Sequence, residues 1–276
     1  MSQAAGSAPA PKKVTVRSFA QAKERREPLV MVAAYDALFA RLSDEGGVDA
    51  ILVGDSLGNV VAGLDTTVPV TLDQMIYHGA AARRGTTRAL LVVDMPFLTY
   101  QVTTERALLN CGRVMQETRC DALKLEGGSP EMAETIRALV RAGMPVMGHL
   151  GFTPQSVHTL GGFRVQARGD DAARQLVDDA RRLEDAGAFS IVLELVPADV
   201  AARVTEAVSI PTIGIGAGLG CDGQVLVLAD LLGLTDAFTP KFLKRYGTMA
   251  ADTRDAVRRF ATEVRARAYP GDEHAF

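Results

Sequence analysis

Apolar side chains in this chain come in short β-rich blocks, and between the blocks they recur every three or four residues among charged ones. The blocks are LVMVAAYD (29–36), AILVGDS (50–56), LLVVDMP (90–96), ALKLEGG (122–128), PVMGHLG (145–151), SIVLELVP (190–197) and PTIGIGAG (211–218), with QVLVLAD (224–230) as a weaker eighth. Apolar runs of this length suit strands buried on both faces, as in a parallel sheet covered by helices.

The intervening segments read as crossover helices. In SPEMAETIRALVRAGM, Met132, Ile136 and Leu139 form one stripe behind a Ser129-Pro130 start, and Gly143 marks the end. DDAARQLVDDARRLEDAGA puts Ala172, Leu176 and Ala180 on one face, with charges opposite, and stops at Gly187. Strand–helix alternation predicts a parallel α/β architecture. Eight such units in 276 residues predict a closed (β/α)8 TIM barrel, since a doubly wound sheet usually has fewer strands. TVRSFAQAKERRE (15–27) is expected to form a helix closing the barrel bottom. TRDAVRRFATEVRARA (253–268), with Val257, Phe260 and Val264, is expected to be the last outer helix. Residues 1–13, rich in Ala, Ser and Pro, read as a flexible arm, and 14–276 as a single barrel domain.

Charge narrows the class of partner. Thirty basic residues against 33 acidic ones leave a net charge of −3, with no field to hold nucleic acid, so small-molecule substrates are expected. The N-terminus lacks the apolar core of a secretory signal, and no apolar run approaches the roughly 18 residues needed to cross a bilayer. A cytoplasmic location without a membrane partner is the expectation. Cys111, Cys120 and Cys221 are odd in number and lack metal-ligand spacing, so they read as core fillers in a reducing compartment.

In a barrel the C-terminal strand ends meet around one mouth. There the blocks place Asp36, Asp55 with Ser56, Asp94, Lys124 with Glu126, His149, Glu194 and the glycine-rich run 214–218. Singly, each acid also reads as a helix cap or half of an ion pair, and Asp36, at the start of DALFARL, is set apart as a cap. Lys124 reads either as a neutraliser of Glu126 or as the holder of a substrate carboxylate, and His149 either as a satisfied core histidine or as a ligand. Together, several buried carboxylates against one lysine call for a cation. Oxygen donors without thiolates or a histidine set favour Mg²⁺.

Three loops carry weaker signals. GIGAG (214–218) reads as a phosphate cradle or, more simply, as glycines that allow tight turns and close approach. KFLKRYG (241–247) reads as an anion contact or a solvated surface loop. FTPQSVHTLGGFRVQARGD (152–170) lacks clean periodicity and is long enough for a lid or binding loop after strand five.

Several long motifs in order, MVAAYDALFA, VGDSLGNVVAGLDTTVPVTLDQMIYH, VVDMPFLTY, LKLEGG, GHLGFTPQSVHTLGGFRVQ, LELVP and IPTIGIGAG followed by CDGQVLV, resemble the ketopantoate (3-methyl-2-oxobutanoate) hydroxymethyltransferase family from about residue 14 to 265. The resemblance implies a barrel of the phosphoenolpyruvate/pyruvate superfamily type and a homo-oligomer, often a decamer. It implies transfer of a hydroxymethyl group from the co-substrate 5,10-methylenetetrahydrofolate to 3-methyl-2-oxobutanoate, through an Mg²⁺-stabilised enolate, in pantothenate and coenzyme A biosynthesis. By motif, Asp55, Asp94 and Glu126 belong to the metal, and Ser56, Lys124 and the two aspartates meet the oxo acid. Glu194 matches the family's proton acceptor. His149 is placed with the substrate-binding residues, to orient a water or relay a proton.

Two other readings stand beside this one. A carbon–carbon lyase or mutase of the same superfamily also sets Mg²⁺-binding acids at strand ends, but usually with a catalytic cysteine or a different acidic signature on a mobile loop, and 152–170 contains no cysteine. A non-catalytic oxo-acid-binding barrel shares the fold, and is disfavoured by a complete base and metal set.

Overall fold

The computed structural model describes residues 12–236 and 239–276. The arm expected at 1–13 lies outside the described residues except for Lys12 and Lys13. Eight parallel strands close into a barrel in chain order. The first half of the chain runs α1 (Val16–Arg25), β1 (Leu29–Ala33), α2 (Ala37–Glu45), β2 (Ala50–Val53), α3 (Leu57–Val60), α4 (Leu72–Gly85), β3 (Leu90–Asp94), α5 (Thr104–Thr118) and β4 (Ala122–Glu126). Then come α6 (Pro130–Arg141), β5 (Val146–Gly151), α7 (Val157–Leu160), α8 (Asp170–Asp185), β6 (Ser190–Glu194), α9 (Ala198–Ala207), β7 (Thr212–Ile215), β8 (Gly223–Val227), α10 (Leu228–Leu231) and α11 (Met249–Arg265). All eight apolar blocks are strands.

The helices begin and end where their local chemistry dictates. Ser129 caps α6 by accepting from the Met132 N–H, Pro130 fills the first turn, and Gly143 follows the helix at φ 87°. Asp36 caps α2 by accepting from the Phe39 N–H at 2.8 Å. On α8 the buried stripe is Ala173, Leu176, Ala180 and Leu183, and Ala172 is exposed. Steps of four drift about 40° around the helix each time, so only alternating steps of three and four hold a stripe against the barrel.

Strand register positions the site. Asp94 pairs with Lys124, Glu126 with His149, and Gly151 with Glu194. Paired residues of parallel strands share a face, and residues two apart on one strand do as well. Lys124 and Glu126 therefore point into the barrel with Asp94, His149 and Glu194, while Leu123 and Leu125 are buried under the outer helices.

The bottom is closed by α1. Val14 N donates to Arg88 O, and Lys13 reaches Ala89 O and Asp121. Lys23 Nζ donates to Thr205 O, Ile210 O and Asp222 Oδ2, and Phe19 meets Phe189 edge-on at 5.6 Å between centroids. These partners lie at or before the starts of β3, β4, β6, β7 and β8.

The chain divides into two compact units, Met1–Val225 and Leu226–Phe276. Within the second, Gly233 (φ 68°) lies so close to Gly247 O that a Cβ would stand 2.4 Å from it, and Phe260 stacks edge-on with Tyr269. α11 forms as expected, but its apolar stripe is not core. Val257, Phe260 and Val264 are 61, 55 and 43% exposed. Among the described residues no helix is long and apolar enough to cross a membrane.

Candidate active site

The barrel mouth gathers a buried polar cluster. Asp55 follows β2 through Gly54, where a Cβ would come within 2.7 Å of Ser56 Oγ, so a side chain there would push the serine hydroxyl aside. The Asp55 N–H donates to Asp94 Oδ2 at 3.0 Å, which brings the two aspartates together. Asp94 Oδ1 faces Lys124 Nζ at 3.1 Å. Lys124 Nζ is also 3.1 Å from His149 Nδ1, which stands 3.3 Å from Glu126 Oε1. His149 Nε2 lies 3.3 Å from Glu194 Oε2.

The structure thus links Asp55, Asp94, Lys124, Glu126, His149 and Glu194 into one chain of contacts. Ser56 is beside them but turned aside, its Oγ 2.9 Å from the Tyr35 hydroxyl. Asp36 is the cap of α2. Cys111 lies on α5, and Cys120 and Cys221 precede β4 and β8, so none is at the mouth. Burial pushes the Cys111 and Cys120 thiols up to about 12 and about 11, which leaves them inert.

Three buried carboxylates face one ammonium, and the electrostatics show the imbalance. Burial and then the charges of Glu126 and Asp94 drive Asp55 well above the usual carboxylate range, while Lys124 and Gln155 pull it back only in part. Burial pushes Glu126 up to about 7, against the opposing pull of Lys124 and the Gln155 N–H. Burial lowers Lys124, but Asp94, Glu126 and Asp55 outweigh it and hold the ammonium up to about 12. Burial and the neighbouring Lys124 lower His149. A charged Lys124 and a neutral imidazole fix the tautomer: Nδ1 accepts from lysine, so Nε2 carries the hydrogen that faces Glu194.

These residues fit a hard divalent cation. Glu126 Oε1 is buried without a hydrogen-bond partner, and Asp94 Oδ1 is met only by the Lys124 ammonium, so both are oxygen donors that a cation could take. Among the described residues no three His, Cys, Asp or Glu side chains form a ready-made ligand set. Mg²⁺ typically takes only one or two carboxylates and fills the rest with water and substrate oxygens.

Glu194 stands apart in one respect: its side chain keeps 18% exposure at the mouth, whereas its neighbours are sealed. Its backbone carbonyl accepts from Phe152 N at 2.8 Å, and a Cβ at Gly151 would lie 2.3 Å from that oxygen. Only glycine fits there. The next residue, Leu195, sits at φ 48°, held by hydrogen bonds from its N–H to Ile215 O and from Gln166 N to its carbonyl. A left-handed leucine costs about 1–3 kcal/mol, which these contacts must offset.

The segment 152–170 contributes a residue that the sequence reading did not assign. It opens with a 3-10 turn at Pro154–Ser156 and α7, and Gln155 projects from the turn into the cluster. Tyr100, at the end of VVDMPFLTY, is also buried there and was likewise unassigned. The one available signal was that both lie inside long motifs immediately after strand ends. Within 214–218, Gly218 (φ 77°) makes a close approach, since a Cβ there would come 2.5 Å from Ala198 Cβ.

Similarity to known proteins agrees with this architecture. The ketopantoate hydroxymethyltransferase profile matches residues 13–272. The 3-methyl-2-oxobutanoate hydroxymethyltransferase of Pelobacter propionicus is 54% identical over 96% of this chain and 98% of its own length. That of Syntrophotalea carbinolica is 52% identical over 96% and 99%. Among solved structures, phosphonopyruvate hydrolase in complex with oxalate and Mg²⁺ superposes with a TM-score of 0.60 at 14% identity, over 94% of this chain and 92% of that one. A 2,3-dimethylmalate lyase of the PEP mutase/isocitrate lyase superfamily gives 0.59 at 17%, over 95% and 91%, and both show the fold. With a family match over nearly its whole length and relatives more than half identical, the chain belongs to the ketopantoate hydroxymethyltransferase family and is an enzyme.

Proposed function

We propose that this enzyme transfers a hydroxymethyl group from 5,10-methylenetetrahydrofolate to 3-methyl-2-oxobutanoate, with uptake of water, giving 2-dehydropantoate and tetrahydrofolate. The pathway served is pantothenate and coenzyme A biosynthesis, in the cytoplasm, by a homo-oligomer. The observation that carries the reading is the pairing of a sealed, under-neutralised carboxylate cluster with one carboxylate, Glu194, open to the mouth.

The hard step is removal of the proton next to a ketone. A positioned general base supplies about 10²–10⁴-fold of the acceleration, so charge stabilisation must supply the rest. Asp94 and Glu126, with Asp55 beside them, would hold Mg²⁺. When bound, Mg²⁺ supplies a Lewis acid for negative charge developing on the keto oxygen. Lys124, held charged by the surrounding acids, binds the substrate carboxylate, and the partly exposed Ser56 adds a hydroxyl contact. Glu194 takes the C3 proton. His149, its Nε2–H facing Glu194, orients that carboxylate. Water frees the methylene carbon from the folate nitrogens as formaldehyde, and the carbanion equivalent adds to its carbonyl carbon; the C=O π electrons become the hydroxymethyl oxygen, which takes up the proton removed from C3, while segment 152–170 shields the site from bulk solvent.

The test is deuterium exchange at C3 of the oxo acid, with Mg²⁺ and without folate. Glu194→Gln is expected to bind metal and oxo acid normally and to lose exchange by about 10²-fold or more. Near-normal exchange in that variant would remove Glu194 from its role. Absence of product from the wild type with all three components would reject the activity itself.

A further inference from the structure

The loop residue Gln155 is the most fully hydrogen-bonded side chain of the mouth. Its Nε2 donates to Asp55 Oδ2 at 2.9 Å and to Met95 O at 2.8 Å. Its Oε1 accepts from the Tyr100 hydroxyl at 2.8 Å and from Gln101 Nε2 at 2.9 Å. Its backbone N–H donates to Glu126 Oε2 at 3.0 Å. Two donors and two acceptor sites make up the capacity of an amide, and all four are used within 3.0 Å.

The orientation of that amide is determined by its neighbours. The Tyr100 oxygen accepts from the Glu126 N–H at 3.0 Å, so its single hydrogen is free to donate, and it does so to Oε1. The oxygen of the amide therefore faces Tyr100, and the NH₂ group faces Asp55. A flipped amide would set a carbonyl against the Asp55 carboxylate, two acceptors within hydrogen-bonding distance in a buried site.

We propose that Gln155 is the positioning residue of the metal centre: it engages one oxygen each of Asp55 and Glu126, fixing both rotamers so that the remaining oxygens are presented to the cation. For Glu126 the division of labour is visible, since Oε2 is taken by the Gln155 N–H while Oε1 is buried without a hydrogen-bond partner. The two acids come from different strand ends, and Gln155, itself buried, is the one residue hydrogen-bonded to both side chains among the described residues. It arrives from segment 152–170, so the proposed mouth cover and the metal ligands are set by one short turn. The proposal rests on the reading of the site given above.

The test titrates Mg²⁺ calorimetrically into metal-free wild type, Gln155→Met and Tyr100→Phe, and measures KM and kcat for C3 exchange at saturating Mg²⁺. Methionine keeps the volume and removes the amide. Gln155→Met is expected to weaken Mg²⁺ binding by about 10–100-fold, the usual loss when a partner of a ligating carboxylate is removed. KM for the oxo acid at saturating metal should stay near the wild-type value. Tyr100→Phe, which frees the amide to rotate, is expected to weaken Mg²⁺ less, and the double variant to be no weaker than Gln155→Met. Should Gln155→Met not fold, Tyr100→Phe alone carries the test through the same titration. Unchanged Mg²⁺ affinity in both variants, with wild type binding metal and exchanging normally, overturns the positioning role and leaves the function standing. A wild type that binds no Mg²⁺ overturns both.

Discussion

Lys124→Met tests the charge balance of the mouth most directly. Lys124 is buried, and its Nζ lies 3.1 Å from Asp94 Oδ1 with Glu126 and Asp55 also acting on it. At an effective dielectric of about 20, one such contact is worth about 5 kcal/mol before desolvation, and removing one partner of a buried pair typically costs about 3–5 kcal/mol. The unbranched methionine fills most of the space, so the cavity contribution is small. Metal-free Lys124→Met is therefore expected to lose about 3–5 kcal/mol of unfolding free energy. Because the variant leaves the carboxylates without a cation, it should bind Mg²⁺ more tightly than wild type. At one saturating Mg²⁺ concentration the gap between the two proteins should narrow by RT ln of the ratio of their Kd values, about 1.4 kcal/mol per tenfold tighter binding by the variant. Urea denaturation with EDTA and with saturating Mg²⁺ reads both quantities. A loss below about 1 kcal/mol without metal, or a gap unchanged by Mg²⁺, would refute the argument.

Other expectations follow from the same contacts. Glu126, with a usual value of 4.5 and a folded value pushed up to about 7 by burial, holds its proton more tightly in the native state. Its contribution makes the metal-free protein lose about 3 kcal/mol as pH rises from 4.5 to 7, while Mg²⁺ affinity climbs over that range and levels off above it. Calorimetry in buffers of different ionisation enthalpy would detect the released proton. At the opposite end of the barrel, burial raises Asp44, but the Thr87 hydroxyl and the N–H groups of Arg88, Ala89 and Thr87 outweigh it and hold the carboxyl at about 2. Its folded value lies below the usual 3.8, so its stabilisation of about 2 kcal/mol is present above pH 3.8 and disappears as pH falls towards 2. Asp44→Asn should lose most of that at neutral pH, and its stability should differ least from wild type near pH 2.

The barrel and the strand-end acids were legible because both are written in periodic form. Continuous apolar blocks, each stopping at a polar residue, state that a strand is buried on both faces and that its end opens on a cavity. The alternation in Leu123-Lys124-Leu125-Glu126 even states which side chains point inward. Two kinds of information were hidden. The stripe on α8 was misplaced by one residue, Ala172 for Ala173, because alanines at both positions leave the choice to helical drift against the barrel. Gln155 and Tyr100 escaped because their roles depend on hydrogen bonds across 26 to 100 positions of chain, which no local spacing encodes.

The grip of Lys23 on Asp222 spans 199 positions, and Asp222 also holds Thr212 N while its own carbonyl accepts from Leu29 N. Helix α1 thus carries a latch for the seam between the last strand and the first, and cannot engage it until Asp222 has been synthesised. Closure of the cylinder is on this account a terminal event in maturation. Damage to Lys23 would show first as slowed assembly and exposure of an open sheet edge to neighbouring chains, and only secondarily as lost catalysis.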